Sequence, residues 1–240
     1  MKIEDKDICV VLTQYKRNHL EEQLEQIKKQ TVQPKYLIVF QNGNHVSIEH
    51  LKDTYDFIHV RSDFNTKYFG RFSYCTNIPA DIFLVFDDDM VPGTKCIENY
   101  VTQCISRNGI MGGNGRYGFY NSNKHTLKST RLDTGLRPCV LVDFVGHLWC
   151  FKKEWLYYMF AVQPATQDTG EDMHLCFSAK LLGNIPSYIC KHTTKEECSD
   201  IRWNTYACDE FSSYKFVTPD MRKSVEQYWL HKGLQFITTN

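Results

Sequence analysis

Apolar residues in the first third of the chain fall into short dense runs, and between the runs they recur at wider spacing. "ICVVL" (8–12), "KYLIVF" (35–40), "FIHV" (57–60) and "IFLVF" (82–86) are each the length of a buried strand. Leu20, Leu24 and Ile27 recur every three or four residues and predict an intervening helix, with Asn18 and Glu21 spaced as a capping box. Pro92-Gly93-Thr94 opens a second helical pattern, with Ile97, Val101, Cys104 and Ile105 inward and Asn108-Gly109 at its end. Strand and helix in alternation predict an α/β fold whose mainly parallel, twisted sheet is flanked by helices.

The second half is less regular. Residues 112–138 are rich in Gly, Asn and Lys and read as a long loop or hairpin, a length that in compact domains is usually functional. "CVLVDFVGHLWCF" (139–151) returns to strand character. Residues 168–184 read as a helix with Asp168 and Glu171 at its start and Gly183 at its end. A last helix opens with Thr218 as cap and Pro219 in the first position. With no internal repeat and no low-complexity tract, residues 1–240 are expected to form a single domain, regular over 1–109 and less regular over 110–240.

Composition narrows the classes. Apolar residues at 42% and charged residues at 23% are those of a globular chain, not a disordered one. The net charge of zero gives no basic footprint for nucleic acid. No run approaches the ~20 apolar residues that a membrane helix needs, which leaves only a peripheral membrane contact open. The ten cysteines contain no C-x-x-C, and several sit in apolar company, so they read as reduced buried thiols of a cytoplasmic protein.

One stretch carries chemistry. In "DIFLVFDDDMVPG" (81–93), five buried-type residues run directly into Asp87, Asp88 and Asp89. Adjacent carboxylates repel and are costly to desolvate, so the tip of this strand calls for a cation. Ligands of parallel α/β sheets collect at the carboxyl ends of the strands, which places "TQYKR", "QNGN" and the three aspartates along one edge. Carboxylate oxygens suit Mn²⁺ or Mg²⁺, and such ions commonly complete their shell with phosphate oxygens. A solvated acidic turn is the plainer reading, weakened by the apolar run in front of it.

The order "CVVLTQYKRN", "YLIVFQNGN", "FLVFDDDMVPG", "TGEDMHLCFSAKLLG" resembles the GT-A fold glycosyltransferases, most closely the inverting group called family 2, over residues 7–185. The resemblance implies a nucleoside diphosphate sugar donor, a glycan or other hydroxyl acceptor, and a divalent cation, with residues 1–109 as the nucleotide-binding half and 110–240 as the acceptor-binding half of one catalytic domain. Thr13, Gln14, Tyr15 and Arg17 then lie where the family holds the nucleoside, and Asn42 stands where many members carry an Asp that reads the base. Asn65 and Arg71 match the segment passing the nucleotide. Asp87 and Asp88 face ribose or sugar, and Asp89 binds the metal. Glu171 and Asp172 match the acceptor-side acidic pair, with Asp172 as general base; the same acids also suit a helix's first turn for electrostatic reasons alone. His192 is the expected further metal ligand, and His147 and Trp149 fall where the family shapes its acceptor pocket. "IRWN" (201–204) has the Arg-Trp of the processive synthases without their preceding Gln, and is discounted.

Two other readings compete. "VFDDDMV" also fits a haloacid dehalogenase-type phosphatase with Asp87 as nucleophile and Asp89 as acid, although that motif normally sits on a domain's first strand. A GT-A-like module that binds nucleotide or glycan without turnover is the non-enzymatic alternative.

Overall fold

The computed structural model describes residues 2–117, 120–121, 124–125, 138–202, 206 and 209–237. Four of the expected strands form: β1 (Ile8–Gln14), β2 (Tyr36–Asn42), β3 (Ile58–Ser62) and β4 (Ile82–Phe86). They pair in parallel in the order β3-β2-β1-β4. The crossovers carry α1 (Leu20–Lys28), α2 (Gly70–Cys75) and α3 (Cys96–Arg107). Leu20, Leu24 and Ile27 are buried as their spacing predicts, and Ile97, Val101 and Cys104 are buried on α3, whereas Ile105 is only half-buried. Asn108 ends α3 in the left-handed conformation, φ 49°.

The remaining strands are β5 (Ile110–Arg116), the ribbon of β6 (Tyr120–Asn121) and β7 (Lys124–His125), β8 (Val140–Val142), β9 (Phe144–Lys152) and β10 (Ser187–Ile189). The main sheet has eight strands ordered β3-β2-β1-β4-β9-β5-β10-β8, with β9 antiparallel to both β4 and β5. α4 (Leu156–Ala161), α5 (Glu171–Gly183) and α6 (Pro219–His231) complete the fold. Apolar side chains from both halves of the chain meet in one core, from Ile8 to Leu234. Among the described residues no helix is long and apolar enough to cross a membrane.

Three expectations of local structure need correction. Residues 112–116, read as the start of a loop, are the interior of β5. Glycine there serves packing: a Cβ on Gly112 would lie 2.1 Å from Val145 Cβ, and one on Gly115 would lie 2.7 Å from Ile189 Cγ1. The neighbouring strands supply the apolar bulk that β5 lacks, and the rest of the expected loop falls largely outside the described residues. The capping box does not form; α1 starts at Leu20 behind His19, which makes no side-chain cap and stacks instead on Tyr206 at 3.7 Å. α5 begins at Glu171, not Asp168, because Gly170 at φ 82° turns the chain into it; it ends at Gly183 as expected, with Asn184 after it providing the left-handed exit. Residues with a Cβ reach such conformations only at a cost, least for Asn. The Thr218 cap forms as expected, its Oγ1 accepting the Met221 N–H at 3.3 Å.

Candidate active site

β4 ends at Phe86, and the three aspartates follow it at the carboxyl edge of the sheet. Each meets a different partner. Asp87 is ion-paired with the Arg71 guanidinium, and Asp88 with Nη1 of Arg17. Asp89 is buried, 8% exposed; its Oδ2 lies 3.5 Å from Arg17 and its Oδ1 has no hydrogen-bond partner. A buried carboxylate oxygen without a donor is costly. Burial, then the charges of Asp87 and Asp88, push the Asp89 carboxyl up to about 8.

β9 contributes the next group. Between the Gly112–Trp149 and Asn114–Gly146 pairs, β9 carries one residue more than β5, a bulge that falls at His147 and Leu148. His147 there adopts φ 67°, a strained conformation for a histidine. Its carbonyl accepts the Asp87 N–H at 3.0 Å. Ligand atoms of Asp87, Asp89 and His147 all lie within 4.8 Å of one another, the only such three-residue group among the described residues. Two carboxylates and an imidazole form a hard-to-borderline donor set, and the bare Asp89 oxygen is an acceptor the fold itself leaves unmatched. The residues fit a divalent cation, and the imidazole favours Mn²⁺ over Mg²⁺.

Arg71 links this edge to α5. Its Nη1 reaches Asp87 and Thr13 Oγ1 (3.2 Å), its Nη2 reaches Glu171 Oε1 at 3.1 Å, and its plane stacks 4.6 Å from the Trp149 ring. Glu171 is itself buried, and burial together with the Asp172 charge raises its carboxyl to about 7 against the pull of Arg71. Asp172, more open, accepts the Met173 N–H on Oδ1 at 2.7 Å and Nη2 of Arg222 on Oδ2 at 2.7 Å. A Cβ built on Gly146, next to His147, would meet only that same Oδ2, at 3.9 Å. Asp172 Oδ2 therefore faces the β9 backbone one residue before His147 of the metal-type group.

Several expected site residues take other roles. Asn42 spends its side chain on the following segment: Nδ2 donates to Asn65 Oδ1 and Lys67 O, and Oδ1 accepts from Thr66 N and Oγ1. Asn65 donates to the Tyr15 hydroxyl at 3.1 Å, so these residues are held together as one wall. Gln14 is buried and donates to the Arg17 carbonyl at 3.0 Å. Trp149, placed in the acceptor pocket from sequence, is 2% exposed, with Nε1 donating to Val145 O at 2.8 Å and its ring edge-on to Phe72. It is a core side chain that floors Arg71. His192 lies outside the Asp87–Asp89–His147 group: it is buried, with Nε2 3.0 Å from the Tyr100 hydroxyl. His147, expected on the acceptor side, is the histidine that lies beside Asp87 and Asp89.

The structure also supplies residues that no sequence pattern flagged. Asp209 clamps Arg17 at 2.6 and 2.7 Å, and that hydrogen-bonded pairing holds its own carboxyl down at about 2. Asp200 accepts the Val91 N–H, and burial raises it to about 6. Arg222 arrives from α6. Seven carboxylates (Asp87, Asp88, Asp89, Glu171, Asp172, Asp200, Asp209) thus share this edge with three arginines (Arg17, Arg71, Arg222), a formal surplus of four negative charges. A cavity of about 410 Å³ lies elsewhere, between β3 and α2, lined by Phe40, Val60, Phe64, Thr66 and Tyr74 and by none of those seven acids.

No family model matches the sequence, and no curated protein does. Solved structures do. S. aureus TarS, a glycosyltransferase, superposes with a TM-score of 0.53 at 12% identity over 77% of this chain. At this identity the likeness is one of fold, a Rossmann-like, mostly parallel sheet flanked by helices. The match spans 36% of the TarS chain, so this chain corresponds to about a third of that protein.

Proposed function

We propose that this protein is a divalent-cation-dependent glycosyltransferase of the inverting, family 2 kind, moving a monosaccharide from a nucleoside diphosphate sugar to an acceptor hydroxyl. The observation that carries the proposal is a juxtaposition: a carboxylate–imidazole group whose buried Asp89 keeps one oxygen without a donor, and an acidic pair at a helix start that reaches the β9 backbone one residue away from His147. The surplus of negative charge at the sheet edge supports a bound cation. Asp87, Asp89 and His147 would hold it. Bound there, the cation supplies charge stabilisation for the departing diphosphate.

The chain's own groups supply the rest. Asp172 takes the acceptor's hydroxyl proton as its oxygen attacks the anomeric carbon and the bond to the diphosphate breaks. Arg17 and Arg71 keep Asp88 and Asp87 fixed, so the acidic tip needs no rearrangement. Tyr15 and the Asn42–Asn65 wall offer an aromatic face and backbone groups for the nucleoside. The phosphatase alternative loses ground, since its nucleophile would belong on the first strand, and Asp87 follows the fourth and is already paired with Arg71.

The test is a panel of UDP- and GDP-sugars with Mn²⁺ and simple hydroxyl acceptors, read as release of nucleoside diphosphate. Release that stops on chelation is expected; silence across the panel, with phosphomonoesters hydrolysed instead, would overturn the proposal. His147→Ala is expected to weaken Mn²⁺ binding about tenfold or more, a conservative figure given that even residues behind a ligand are worth that much. His192→Ala is expected to leave it unchanged. Titration of Mn²⁺ by electron paramagnetic resonance distinguishes them, and equal effects would remove His147 from the site.

A further inference from the structure

Arg222 stands fourth in α6, counting from Pro219, in the helix's first turns. A cation there faces the positive end of the helix dipole and gains nothing from it. Its partner lies on another element, fifty residues upstream: Nη2 is 2.7 Å from Asp172 Oδ2, and the guanidinium also lies 5.4 Å from the Phe144 ring of β9. Both groups are largely shielded, with side chains 19% and 13% exposed, so the pair is worth more than a surface ion pair.

The docking of α6 is firm. Trp229 is fully buried, with ring contacts to His174 and Phe177 of α5. Val225 packs against Gly170, where a Cβ would come within 3.0 Å of Val225 Cγ2. The helix therefore delivers Arg222 to the start of α5 as a fixed part. Each member of the adjacent acidic pair then has its own guanidinium, Arg71 for Glu171 and Arg222 for Asp172. The two arginines do different things. Arg71, itself buried, bridges Glu171 to the half-buried Asp87. Arg222 fixes the one carboxylate oxygen that borders the open space at Gly146, next to the cation-type group.

We infer that Arg222 is a positioning residue for transfer: it holds Asp172 so that Oδ2 faces the acceptor hydroxyl, and it leaves donor binding alone. This rests on the reading of Asp172 as general base. A carboxylate oxygen has two lone pairs, so Oδ2 can accept from Arg222 and from the acceptor at once. Without the guanidinium, Asp172 keeps only its contact to Met173 N and is free to rotate about its side-chain bonds. Misplacement of a base by about 1 Å is enough to cost on the order of 10²-fold in rate.

The experiment compares Arg222→Met, Arg222→Lys and Thr218→Ala. Thr218→Ala removes the cap of α6 without touching Asp172, so it weakens the helix alone. Arg222→Met is expected to lower kcat for transfer about 30- to 100-fold with the donor's Kd within twofold of wild type, Arg222→Lys to recover part of the loss, and Thr218→Ala to keep wild-type kcat despite a lower Tm. Full turnover in Arg222→Met, or equal losses in Arg222→Met and Thr218→Ala, would overturn the inference. If the wild type transfers no sugar, the glycosyltransferase reading has failed and not the pairing. Melting then decides the pairing: a double variant with Asp172→Asn should lose no more than the larger single loss, and losses that simply add would show that Arg222 does not hold Asp172.

Discussion

Arg71→Met is expected to destabilise the protein by about 3–5 kcal/mol, the usual cost of stripping a buried ion pair of one partner. The side chain is 5% exposed and serves two carboxylates, Asp87 and Glu171, the second of them a hundred residues away in sequence. Methionine matches its length and can still cover Trp149, so the loss reports charge and hydrogen bonding more than a cavity. At this chain length the change corresponds to a fall in Tm of roughly 10 °C. Lysine is not expected to rescue it, because a single ammonium lacks the planar fork that reaches both acids.

The effect has a defined pH dependence. In the wild type Glu171 titrates near 7 when folded, against an ordinary 4.5, so folding retains a proton that the unfolded chain has released. The protonated acid's advantage is therefore full below about 4.5 and is lost as the pH rises through 7. Removing Arg71 takes away the cation that offsets part of this, and the decline becomes steeper. The Arg71→Met penalty should be largest above pH 7 and shrink toward pH 5. Thermal melts at pH 5, 6, 7 and 8 in chelator measure it. A loss under 1 kcal/mol at pH 8, or one that grows as the pH falls, would show that Arg71 does not carry this bridge.

Asp172→Asn is expected to remove transfer by about 10²–10⁴-fold, the range over which a positioned general base acts. Donor and cation binding should stay, because the proposed ligands Asp87, Asp89 and His147 are untouched. Asparagine keeps the shape and can still accept the Met173 N–H, so the fold is expected to hold, with a modest loss from the contact to Arg222. The two outcomes separate within one assay: nucleotide binding measured by titration, and turnover measured by nucleoside diphosphate release. Turnover within tenfold of wild type would mean that another group takes the proton, and Glu171, its adjacent buried neighbour, would be the first to examine by Glu171→Gln.

The local pattern was informative wherever a segment's burial is uniform. β1, β2 and β4 are buried from end to end or nearly so, and their apolar runs announce them. It misled at β5, whose "GGNG" has the composition of a loop. There the apolar density resides in Val145 and Ile189 on neighbouring strands, and no window along the chain can contain both. The same limit hid which histidine lies beside the aspartates. His192 follows a strand and looked like a ligand, whereas His147 sits inside one; only the bulge in β9 turns it to the aspartates. Trp149 shows the opposite error, a site-like aromatic that packing turns inward.

The sequence alone determined that this chain builds a mainly parallel α/β sheet and that one of its strands ends in three carboxylates, because periodicity and like-charge crowding are properties of neighbours along the chain. Which charges answer them was decided by tertiary structure. Arg17 to Asp209, Arg71 to Glu171 and Arg222 to Asp172 are pairings across 50 to 192 residues, and the unanswered Asp89 oxygen becomes visible only once every partner is counted. Electrostatic satisfaction depends on distance through space, and sequence separation carries no information about it.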